Sequence, residues 1–162
     1  MAHRSTQPRA KFKMKVWQLL GYLGLIPFIL FLWLFDNHIQ DLPIKPQQAF
    51  VFYSATILSF VAGSLWRRDN SLSSKKLQLI SNAFCLYAFT CLLLPLYMAL
   101  LLLPLGYLLI LSAEYILLLQ EEHLDFDKEK DILIKHYFTM RFILTMIVSL
   151  LHAVAFICFF NY

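Results

Sequence analysis

The sequence predicts an all-α integral membrane protein, a bundle of five transmembrane helices with the amino terminus inside and the carboxyl terminus outside. Three observations predict it. The chain is 60% hydrophobic and 15% charged, with a mean hydropathy of +0.65, outside the range of an ordinary soluble domain. Its apolar residues form long uncharged blocks, where a water-soluble helix would show stripes of 3.6-residue period. Its basic residues gather in segments that alternate with those blocks, as the positive-inside pattern requires.

The central block is Ala49 to Trp66, 18 uncharged residues followed at once by Arg67 and Arg68. A helix of that length crosses a hydrocarbon core of roughly 30 Å. Ala55, Ser59 and Gly63 fall at i, i+4 and i+8, so small side chains line one face where a neighbouring helix can approach closely.

Residues 1–16 are read as a basic cytosolic arm, carrying Arg4, Arg9, Lys11, Lys13 and Lys15 and no acid. Residues 17–160 form the transmembrane domain. Its first span, Trp17 to Phe35, has Pro27 near its middle, where a missing backbone donor should kink it. Gly21 and Gly24 lie one turn apart on nearly the same face, the expected packing face for a neighbour. The loop 36–48 follows, where Pro43 and Pro46 should stop any helix, and then the second span, 49–66.

A turn at Arg67 to Lys76 leads into 43 residues, Leu77 to Leu119, with no charge before Glu114. As one helix they would reach about 65 Å, twice the need of a bilayer. The block is therefore two spans, divided at Pro95 because a residue before proline avoids the helical region. That gives spans 77–94 and 96–119. A polar stretch, Gln120 to Lys135, precedes the fifth span, 137–160. With the amino terminus inside, thirteen of the fourteen Lys and Arg residues lie on the inner side and only Lys45 outside.

Ionisable residues within spans are functional candidates, since each is costly there without a partner. Glu114 lies five residues before the end of the fourth span and Arg141 four residues into the antiparallel fifth. At 1.5 Å per residue both sit roughly 6–8 Å below the inner boundary, close enough to pair. Such a pair fixes two helices together or couples an ion. His152 sits deeper, as an interhelical hydrogen-bonding group or a polar lining. No catalytic, metal or cofactor set is evident. Acids at Asp125, Asp127, Glu129 and Asp131 suggest a calcium loop, but an EF-hand needs glycine and an acid where Lys130 and His136 stand. Ser54, Ser59, Ser64, Ser81 and Ser112 have no arranged base in the sequence, which argues against a serine hydrolase. Cys85, Cys91 and Cys158 make no CxxC and read as small buried hydrophobes. The basic charge implies contact with anionic lipid headgroups and not with nucleic acid.

The stretches LGYLGLIPF (Leu20 to Phe28) and YSATILSFVAGSLWR (Tyr53 to Arg67) resemble the domain-of-unknown-function 3429 family, which includes transmembrane protein 69. HYFTMRFILT (His136 to Thr145) is similar to that family's last helix. The family's usual His-Trp-Gly ending of the second helix stands here as Leu65, Trp66 and Arg67. The resemblance implies a helical membrane fold in a bacterial inner membrane or, alternatively, a mitochondrial inner membrane, and implies no activity. The leading expectation is a non-enzymatic scaffold or subunit that packs with itself or with a larger membrane complex. The rival is a small oligomeric transporter lined by Glu114, Arg141 and His152. A dry seam around the pair favours the first; a water-filled cavity reaching His152 favours the second.

Overall fold

The computed structural model describes residues 16–37, 43–65, 74–122 and 128–161. Readings placed on residues 1–15, His38, Asp41, Trp66 to Arg68, Asp125 and Asp127 lie outside them. The described residues are all helical apart from short turns: α1 (Val16–Leu23), α2 (Ile26–Asp36), α3 (Pro46–Gly63), α4 (Ser74–Leu93), α5 (Leu96–Glu122) and α6 (Lys128–Asn161).

The first apolar block is interrupted near its middle: the helix breaks at Gly24 and Leu25, and Pro27 falls in the first turn of α2. The reason is local. A proline in the first turn gives up a donor that has no intrahelical partner there. Leu25 N–H bonds back to Tyr22 O at 3.0 Å, a tightened turn that ends α1. The same rule corrects the expectation for Pro46. It opens α3 instead of stopping a helix, and α3 begins three residues before the expected start of that span.

At the other proline step, α4 ends at Leu93 and α5 starts at Leu96, so the long block divides at Pro95. Pro104 is accommodated inside α5. Helix α6 is longer than its apolar part, reaching back to Lys128.

Side-chain pairs give the direction of each helix. Ser81 reaches Ala62 O and Cys85 faces Ser59 O, so α3 and α4 are antiparallel. Tyr53 meets Gly24 while Phe50 meets Phe28, so α2 and α3 are antiparallel too. Gly21 lies against Leu144, Phe28 against His152 and Phe35 against Phe159, so α1 and α2 run parallel to α6. Counting α1–α2 as one pass, the chain runs up and down the bundle five times. The start of α1, the end of α3, the start of α4, the end of α5 and the start of α6 share one end of the bundle.

Among the described residues three helices are long and apolar enough to cross a membrane: 18–36, 96–117 and 136–160. Residues 77–93 form a shorter apolar helix. Helix α3 is 18 residues long but opens with Pro46, Gln47 and Gln48 and carries four hydroxyl side chains. It tolerates them because it is interior: Phe50, Val51, Ser54, Ala55, Leu58 and Ala62 are all buried against other helices. In lipid, polar side chains are retained where protein can satisfy them.

Candidate functional site

The Glu114–Arg141 pair is built by the α5–α6 hairpin. Arg141 presents its guanidinium side-on: Nη2 donates to Glu114 Oε1 at 2.8 Å and Nε to Oε2 at 3.2 Å. Glu114 is 3% exposed, and the Arg141 side chain 12%. Two parallel charge-assisted bonds fix both distance and plane, which a single lysine contact could not do. The Tyr137 ring stands 6.0 Å from the guanidinium, and Tyr115 packs on Phe138 beside it. The pair thus sits between α5 and α6 with one aromatic ring beside the guanidinium.

Deeper in the bundle lies a second polar centre that the sequence did not show. Ser54 Oγ is 2.8 Å from His152 Nε2, although 98 residues separate them. His152 Nδ1 is 2.8 Å from Val148 O. A carbonyl can only accept, so Nδ1 carries the proton, and in the neutral ring Nε2 accepts from the Ser54 hydroxyl. The Tyr107 hydroxyl donates to the Ser54 carbonyl at 2.8 Å. One residue of α3 therefore holds α6 through its side chain and α5 through its backbone. Phe28, Phe50 and Tyr107 stand around the imidazole at 5.8, 5.0 and 6.1 Å between ring centres.

This arrangement corrects the expectation that no serine has a base in reach: Ser54 does. A hydroxyl and an imidazole at that distance are the first requirement of a nucleophilic dyad. A substrate carbonyl must also reach the oxygen, and Ser54 is 0% exposed and His152 1%. In the closed bundle the pair acts as a link between helices.

Hydroxyl-to-carbonyl bonds recur at other crossings. Tyr53 donates to Gly24 O at 2.9 Å, at the break between α1 and α2. Tyr87 donates to Leu102 O at 2.6 Å, two residues before Pro104. Ser81 donates to Ala62 O at 2.8 Å. Gly24 and Ala62 lie where a helix ends, where carbonyls run short of intrahelical partners, and a neighbouring hydroxyl takes them up; Leu102 O accepts through its second lone pair.

The expected small-residue faces divide. Gly21 is a close-approach site, since a Cβ there would lie 2.9 Å from Leu144 Cδ1. Gly24 serves the break instead; a Cβ would meet the carbonyl of Gly21 at 3.2 Å. Ala55 is buried, and Ser59 turns its hydroxyl back to Ala55 O at 3.0 Å while Cys85 packs on its carbonyl. Among the described residues nothing packs at Gly63, where a Cβ would meet no atom within 4 Å. The glycine that does admit a neighbour is Gly106, where a Cβ would fall 2.7 Å from Tyr87 Cε1 and 2.8 Å from Leu58 Cδ2.

Two shallow depressions mark the surface. One of about 260 Å³ is lined by Ile80, Ala83, Phe84 and Tyr87. One of about 140 Å³ is lined by Ala55, Thr56, Ser59, Ala88, Phe89 and Leu92. Neither reaches Glu114, Arg141 or His152. Among the described residues no three His, Cys, Asp or Glu side chains come together as a metal site, and Cys85, Cys91 and Cys158 are free.

An all-helical chain with three membrane-length apolar helices and two buried interhelical polar centres defines the class: a helical bundle of the membrane type. Within it, the chain belongs to the DUF3429 family of proteins of unknown function, whose model matches residues 14–157. No curated protein and no solved structure matches it.

Proposed function

We propose that this chain is a non-enzymatic scaffold or subunit of an inner membrane, crossing it five times and packing with a second copy or with a larger complex. The observation that carries the reading is the Glu114–Arg141 pair, bidentate and largely buried between α5 and α6. An ion-coupling carboxylate has to meet water or a second carboxylate; this one is taken up by a guanidinium. His152 is likewise occupied by Ser54 and Val148 instead of lining a path.

The five-pass layout is supported by the grouping of helix ends. In the proposed layout, the side where α1 begins, where α3 ends and α4 begins, and where α5 ends and α6 begins takes thirteen of the fourteen Lys and Arg residues. Those residues belong on the cytosolic or matrix side, against anionic headgroups. A bacterial cytoplasmic membrane suits this arrangement best, with a mitochondrial inner membrane as the alternative.

Charge exchange tests the role of the pair. The double variant Glu114→Arg with Arg141→Glu should fold and retain its native crosslinked partners, while each single exchange should lose both. If the double exchange keeps the fold but loses the partners, the pair belongs to recognition and not to packing. Substrate-dependent flux from a monomer in liposomes, without any crosslinked partner, would overturn the scaffold reading.

A further inference from the structure

The first pass is held differently from the others. In the most apolar 18-residue stretch of each, only 6% of the residues are buried in span 18–36, against 39% in 96–117 and 22% in 136–160. In α2 the one buried residue is Phe28, at 0% exposure. Leu19, Leu20, Ile26, Ile29, Leu30 and Trp33 are all exposed. In lipid no hydrophobic force drives such a helix onto its neighbours, so packing and interhelical hydrogen bonds must hold it. Those contacts include Phe28 in its aromatic nest, Tyr53 on Gly24 O and beside Phe31, Phe35 on Phe159, Gly21 on Leu144, and Leu25 and Leu32 partly buried against the core.

The place where Phe28 is seated matters. Its ring lies 5.8 Å from that of His152 and packs edge-on against Phe50 and Tyr53. It covers the Ser54–His152 pair, which is itself fully buried. The helix is broken only three residues earlier, at Gly24 and Leu25, by a step that Pro27 supports. A break in the ladder is where a helix bends most readily. The least embedded segment of the fold therefore carries the plug over its most buried polar centre, with a hinge directly beside it.

We infer that α2 is a lateral door: it swings from the bundle about Gly24–Leu25, withdraws Phe28, and opens Ser54 and His152 to a lipid-soluble molecule bearing a carbonyl or hydroxyl group. With Phe28 withdrawn, the Ser54 hydroxyl and the imidazole Nε2 can each exchange their mutual bond for one to the entering group. The α3–α5 link through Tyr107 and the Ser54 carbonyl remains in place, as does the Glu114–Arg141 link of α5 to α6, so opening does not require the bundle to come apart.

Diethyl pyrocarbonate, a small lipid-soluble carbonyl reagent that acylates neutral imidazole, is the probe. The full chain is reconstituted in bilayers and modification is mapped by mass spectrometry, with the exposed His136 as internal reference. In a background with Cys85, Cys91 and Cys158 replaced by alanine, Phe35→Cys with Phe159→Cys places a lock where the two rings now meet at 4.7 Å. The door requires that His152 be modified in the unlocked chain, and at least tenfold more slowly once the lock is oxidised, with His136 unchanged. Reduction should restore the rate, and Phe28→Ala should raise it several-fold without any lock. An unmodified His152 in the wild-type chain after His136 has reacted fully would overturn the inference. So would a rate indifferent to both the lock and Phe28→Ala.

Discussion

Removing one partner of the Glu114–Arg141 pair strands the other charge against an apolar seam. Breaking a buried pair typically costs about 3–5 kcal/mol. Arg141 keeps 12% of its side chain exposed and can reach toward the headgroups, which lowers its share. Glu114→Ala and Arg141→Ala are each expected to cost about 2–3 kcal/mol in reversible unfolding from mixed micelles, and the double alanine variant no more than either. Costs that simply add would show that the two charges are not coupled. Ser54→Ala is a milder change. It deletes one interhelical hydrogen bond, and such bonds average about 0.6 kcal/mol in membrane bundles. It should therefore destabilise less than either charge deletion, measured in the same micelles.

Among the elements, the contrast between two glycines tests the packing directly. A methyl at Gly106 would press on the Tyr87 ring and Leu58, so Gly106→Ala should cost about 1–3 kcal/mol. At Gly63 the space is open, and Gly63→Ala should be neutral or gain up to about 1 kcal/mol from helix propensity. Equal effects at the two sites would contradict the α3–α4–α5 packing described here. The same pair shows what could be read in advance. Spacing alone places Ala55, Ser59 and Gly63 on a face, but it cannot say which of them a neighbour touches; α4 reaches the carbonyls of Ser59 and Ala62, while a Cβ at Gly63 would point into open space. Gly106 lay inside an unbroken apolar run, where nothing local marks a crossing. The Pro95 division was legible because proline acts on the residue beside it. Glu114 and Arg141 were legible because a hairpin brings equal depths together. Ser54 and His152 belong to helices that are not sequence neighbours, so no counting of depth could pair them.

At the scale of the whole molecule, the hydroxyl links and the ion pair tie the described helices into one bundle, for which we propose a five-pass layout with its cationic ends on one side. That layout predicts how the two chain ends divide across the membrane. The measurement is accessibility of single cysteines to an impermeant maleimide, in sealed vesicles of known orientation, with Cys85, Cys91 and Cys158 replaced. Cysteines at Lys13 and Asn70 should react only from the basic inner side, and cysteines at Ile44 and Tyr162 only from the opposite side. Reaction of positions 13 and 162 from the same side would contradict the five-pass account.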